Sequence, residues 1–103
     1  MFSSTTYVIR GARISDARDL ERIAAMDSQR PLRGHILIGE IDGRPEAAMS
    51  LDDGRLIANP FVHTESLASH LRIRARGVHA AEDFPAVRDR LRRTVRVTHL
   101  ERA

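Results

Sequence analysis

Three short apolar stretches between His35 and Asn59 are separated by two tight-turn signals, and that spacing leaves the chain little choice of architecture. His35 to Ile41 is a mostly apolar run, which predicts a strand buried on both faces. Asp42-Gly43 follows, the pair that the type I′ hairpin turn requires. From Pro45 to Leu51 the pattern alternates: Ala47, Met49 and Leu51 on one face, Ala48 and Ser50 on the other. Asp52-Asp53-Gly54 makes a second turn, and Arg55 to Asn59 a third strand with Leu56 and Ala58 opposite Ile57 and Asn59. Two tight turns joining three strands mean an antiparallel meander, which Pro60 ends.

The flanks supply the layers that such a sheet needs. Thr6 to Ala12 reads as a strand, with Tyr7 and Ile9 on one side and Val8 and Arg10 on the other. Ser15 or Asp16 is a natural N-cap, and Ala17, Leu20, Ile23 and Ala24 form an apolar stripe at helical spacing. That helix should stop near Asp27 or Ser28, because Pro31 biases Arg30 away from helix. A second helix is expected from about Thr64, with Leu67, Ala68, Leu71, Ala75 and Val78 on one face and Gly77 as its C-terminal stop. Asp83 to Arg93 reads as a short helix, and Thr94 to Leu100 as a strand at a sheet edge. The expected fold class is α+β: strand, helix, three-strand meander, helix. Residues 1–76 would form the core and 77–103 a basic C-terminal extension.

Composition narrows the chemistry. The chain has 103 residues, no Cys and no Lys, and all 17 of its basic side chains apart from His are Arg. Disulfides, zinc-thiolate sites and thiol nucleophiles are therefore excluded. No apolar run is long enough for a membrane span, and Met1 to Thr6 lacks the features of a secretory leader, so a cytoplasmic protein is expected. Charge is uneven: residues 1–71 carry a net charge of −2 and residues 72–103 a net charge of +5. Arg72, Arg74, Arg76, Arg88, Arg90, Arg92, Arg93 and Arg96 could serve a nucleic-acid-associated regulator. They lack the interleaved aromatics that stack on bases, so a solvated Arg-rich face is the favoured reading.

Other constellations point to structure before chemistry. His35, His63, His70, His79 and His99 do not offer the i, i+4 spacing of a metal pair, and no metal site is expected. Asp52 and Asp53 are adjacent on a turn, where carboxylates usually diverge. Glu40 could act as a general base beside the sheet, against the simpler expectation of a strand-end residue facing solvent.

The segment from Tyr7 to Ala24 resembles the opening strand and helix of the GNAT acetyltransferase superfamily, and Ile36 to Leu51 resembles its second and third strands. The resemblance covers roughly residues 7–76. It is similar also to small actinobacterial proteins that carry only the first half of that fold. The resemblance implies an acetyl-CoA pyrophosphate loop, Arg/Gln-x-x-Gly-x-Gly/Ala, before the second helix. The matching residues are His63, Thr64, Ser66 and Ala68, with Ser66 where the first glycine would stand. Glu65 adds a negative charge beside the place the anion would occupy. The expectation is a non-catalytic binding or interaction module without a bound cofactor. The alternative is a degenerate acyl-CoA-dependent N-acyltransferase. A shortened fold would leave Arg55 to Asn59 near a sheet edge with unpaired backbone groups, favouring a homodimer, a protein partner or cover by the basic C-terminal segment.

Overall fold

A computed structural model describes the backbone of residues 2–80 and 95–102 and the side chains of residues 5–78. The chain order is β1 (Phe2–Gly11), a 3₁₀ turn (Ile14–Asp16), α1 (Ala17–Met26), β2 (Ile36–Ile41), β3 (Arg44–Ser50), β4 (Leu56–Ala58), α2 (Glu65–Ala80) and β5 (Val95–Arg102). The strands form one antiparallel sheet in the order β4-β3-β2-β1-β5. The α+β architecture read from the turn signals is therefore present. The expected helix at Asp83–Arg93 lies outside the described residues.

Period-two alternation divides the sheet between two helices. Tyr7, Ile9, Leu37 and Ala47 pack with Leu67, Leu71, Ala75 and Val78 of α2. Ile36, Ile38, Ala48 and Ile57 pack on the opposite face with Leu20, Ile23 and Ala24 of α1. β2 is thus buried on both faces, as its apolar run requires. Each fully buried Leu or Ile contributes about 1.5–3 kcal/mol, so the two layers carry most of the stability. Ala17 departs from the expected stripe and is exposed, because the 3₁₀ turn enters α1 before its apolar face meets the sheet.

Close approach fixes α2 over β2. A Cβ on Gly39 would lie 2.7 Å from Leu67 Cδ1, so only glycine lets the helix settle there. α2 continues through Gly77 to Ala80 rather than stopping. Gly77 is one weak helix former among strong ones, and its neighbours Ala75 and Val78 are buried. The boundary expected at residues 76 and 77 falls within this helix. At the meander turn, Asp42 and Gly43 both have positive φ, 50° and 86°, as a type I′ turn demands.

The sheet edges correct the expected pairing. β4 is an edge, but its outward Ala58 N–H and Leu56 carbonyl are occupied. Asp27 Oδ2 accepts the Ala58 N–H at 3.1 Å, and Gln29 Nε2 donates to the Leu56 carbonyl at 3.2 Å. Gln29 also donates to Asp27 Oδ2 at 2.7 Å. A Schellman ending of α1 places both side chains: Gln29 N–H bonds the Ala24 carbonyl at 2.9 Å, with Ser28 at φ 53°. Arg55 pins the same loop through the carbonyls of Arg30 and Pro31, at 2.7 and 2.9 Å. The C-terminal strand covers the other side of the molecule. β5 pairs with β1 from Phe2↔Arg102 to Ile9↔Val95.

Candidate functional site

The residues matched to the pyrophosphate loop do gather at the start of α2. His63, Glu65 and Ser66 line a cavity of about 300 Å³ together with Tyr7 of β1. The Thr64 carbonyl accepts the Ala68 N–H at 2.7 Å and opens the helix. Ala68 is buried and does not line the cavity. Tyr7 is the member that sequence reasoning missed. Its place depends on the sheet bringing β1 beside α2, where its ring also meets His70 edge-on at 5.8 Å. Ahead of the cavity, Phe61 is 81% exposed and Val62 is also exposed.

Among the described residues the cavity lining offers a phenol, an imidazole, a hydroxyl and one carboxylate, and no arginine. The left-handed residues among the described chain are Ser28, Gly34, Asp42, Gly43 and Gly54, none of them between β4 and α2. The backbone there does not turn its amides into an anion-holding nest. Glu65 occupies the first turn of α2, where its charge already complements the helix dipole.

A second cavity of about 510 Å³ lies at the opposite end of the sheet, lined by Arg30, Arg33, Arg55, Ser50, Asp52 and Asp53. The two carboxylates diverge, as turn chemistry predicts. Asp52 accepts the His35 N–H at 3.1 Å and lies 3.3 Å from His35 Nδ1. Asp53 accepts the Arg55 N–H at 2.8 Å, which holds its carboxyl below the usual range. They do not form a shared acid–base pair.

The ionic centre of the molecule lies on the α1 face and was not anticipated. Arg10 makes two bonds to Asp16, at 2.7 and 2.8 Å, and one to Glu40 at 2.8 Å. The bidentate Arg10 contact holds the Asp16 carboxyl below its ordinary value, despite the opposing effect of burial. Asp16 also accepts the Arg13 N–H at 2.6 Å, closing the 3₁₀ turn. Glu40 therefore turns to Arg10 and does not face open solvent. Its strand register places it opposite Val8, close to Arg10 on the same strand. The cue was the alternation itself: Arg10 shares the inward face of Val8, and a buried guanidinium requires acceptors.

A smaller cluster surrounds Glu46, which a β-bulge between Gly39 and Glu40 sets apart from the ladder. Its carboxylate lies 3.5 Å from Arg22 and accepts from Asn59 Nδ2 at 3.3 Å. Arg22 also donates to the Pro45 carbonyl at 2.7 Å, tying α1 to β3.

Among the described residues no group of three His, Asp or Glu side chains is placed to hold a metal, and no helix is long and apolar enough to cross a membrane. Arg72 and Arg76 are exposed on α2, whereas Arg74 is partly buried and its pKa is lowered by desolvation. Arg88, Arg90, Arg92 and Arg93 lie outside the described residues, as does the side chain of Arg96. Comparisons with protein-family models, with curated proteins and with solved structures return no match to this chain.

Proposed function

We propose that this chain is a non-catalytic binding or interaction module on a shortened GNAT-like core, working in the cytoplasm as a homodimer or with a protein partner. One observation carries the reading. The connection from β4 to α2 has neither a glycine nor a left-handed residue, and the Glu65 carboxylate lines the cavity where an anion would have to enter. Exposure of Phe61 and Val62 on the same connection supports contact with another protein surface. Titration calorimetry with millimolar acetyl-CoA tests the absence of cofactor chemistry, and the expected result is no binding heat. Light scattering coupled to gel filtration tests association, with dimer or complex mass expected. A clean monomer across micromolar concentrations, with no partner recovered by cross-linking, overturns the proposal.

The cavity lined by His63 and Ser66 favours one second reading, a degenerate acyl-CoA-dependent N-acyltransferase. Saturable acetyl-CoA binding that is weakened by Ser66→Trp would establish it in place of the first.

A further inference from the structure

We infer that the homodimer forms by antiparallel pairing of β5 with β5 of a second copy, centred on Thr98, so that two sheets join into one. This inference rests on the self-association reading above and names its interface. The hydrogen-bond pattern determines which backbone groups are available. Ala12 N–H bonds the Ile36 carbonyl and Asp42 N–H bonds the Thr6 carbonyl, so even-numbered residues of β1 face β2. By strand alternation the odd-numbered residues of β1 face β5. The register Tyr7↔Val97 and Thr5↔His99 then assigns the odd residues of β5 to β1. Arg96, Thr98, Leu100 and Arg102 direct their N–H and carbonyl groups to the outer side, where no other described strand pairs.

The two edges are unequal. β4 offers three residues, and Asp27 and Gln29 already take its outward Ala58 N–H and Leu56 carbonyl. β5 offers eight residues without Pro or Gly. A two-fold axis perpendicular to the sheet pairs residues of like parity. Centring it on Thr98 sets Arg96 opposite Leu100 and Val95 opposite Glu101, with no like charges facing. Centring it on His99 would set Arg96 opposite Arg102 in both halves, which is unfavourable. Axes on Thr98 and His99 both overlap seven residues of β5, more than axes on Val97 or Leu100, and of these two charge selects Thr98, which donates and accepts across the axis.

Thr98→Pro removes an N–H that β1 does not use, so the fold should persist while two symmetric intermolecular bonds are lost. The expected dimer dissociation constant rises about 30-fold or more, with the far-ultraviolet circular dichroism unchanged. Thr98→Cys provides an independent measurement, since the chain has no other thiol. Opposed residues in a bonded pair sit about 5.5 Å apart at Cα, within disulfide reach. Mild oxidation should give a covalent dimer from Thr98→Cys and none from Leu100→Cys, whose opposite residue is Arg96. A wild-type dimer in which Thr98→Pro leaves the dissociation constant unchanged, or in which Thr98→Cys does not cross-link, overturns this interface and leaves self-association standing. Cross-linking through Leu100→Cys overturns the register. A monomeric wild type overturns both. Should Thr98→Pro unfold, the oxidation result alone decides.

Discussion

Replacing Arg10 by Met tests whether the ionic centre on the α1 face is structural. The guanidinium serves two carboxylates whose side chains are 8% and 16% exposed, Asp16 and Glu40. Met fills much of the same volume but leaves both acids buried without a cation. Breaking one partner out of such a network costs about 3–5 kcal/mol. For a domain of this size that lowers the melting temperature by at least about 12 °C. The pH dependence supplies the sharper test. In the wild type the folded Asp16 has a lowered pKa. Its contribution is complete above the unfolded value, about 3.9, and is lost as pH falls through the lower folded value. In R10M the same acid loses the contact that lowers its pKa most and keeps only the Arg13 N–H against the opposing effect of burial, so its pKa rises. The variant's deficit should therefore be largest near neutrality and shrink as Asp16 takes up its proton. Urea unfolding of both proteins at pH 7 and pH 4.5 measures this. A triple change, R10M with D16N and E40Q, should recover most of the loss at pH 7. A deficit below about 1 kcal/mol, independent of pH, would refute the network as a determinant of stability.

Other perturbations follow from single contacts. Gly39→Ala should destabilise by about 1–3 kcal/mol through collision with Leu67, and Leu67→Val in the same chain should restore part of it; additive effects would contradict the collision. Asp27→Ala removes the acceptor of the Ala58 N–H and should cost about 1.5–3 kcal/mol, with increased light scattering as β4 becomes able to pair; unchanged scattering would mean that the edge is protected otherwise. Ser28→Gly relieves a left-handed non-glycine residue and should raise stability by about 0.5–1 kcal/mol in the same unfolding assay.

What the sequence disclosed was local. Asp42-Gly43 is two residues that need positive φ, and their neighbours alternate or run apolar, so the meander is visible without its partners. The stripes of α1 and α2 are legible for the same reason. Non-local outcomes were not. Nothing within Thr94 to Leu100 says that it would meet β1 instead of β4, since the pairing Tyr7↔Val97 joins segments far apart in the chain. Asp16 was legible as a helix cap, but its side chain turns to Arg10 because the buried guanidinium competes more strongly than the free helix amides. At the candidate site, His63 and Ser66 were found through the loop they occupy, and Tyr7 only once the sheet was assembled.

The Arg10–Asp16–Glu40 cluster also bears on how this fold can diverge. An all-apolar trio could replace it with little penalty, whereas losing Arg10 strands two carboxylates, and once one acid has gone, losing either member of the remaining pair strands a charge. Single-step mutational paths between those two solutions pass through unstable intermediates. Arg10 and Asp16 should therefore drift together, so that a descendant keeps the pair or exchanges both, while position 40 varies more freely.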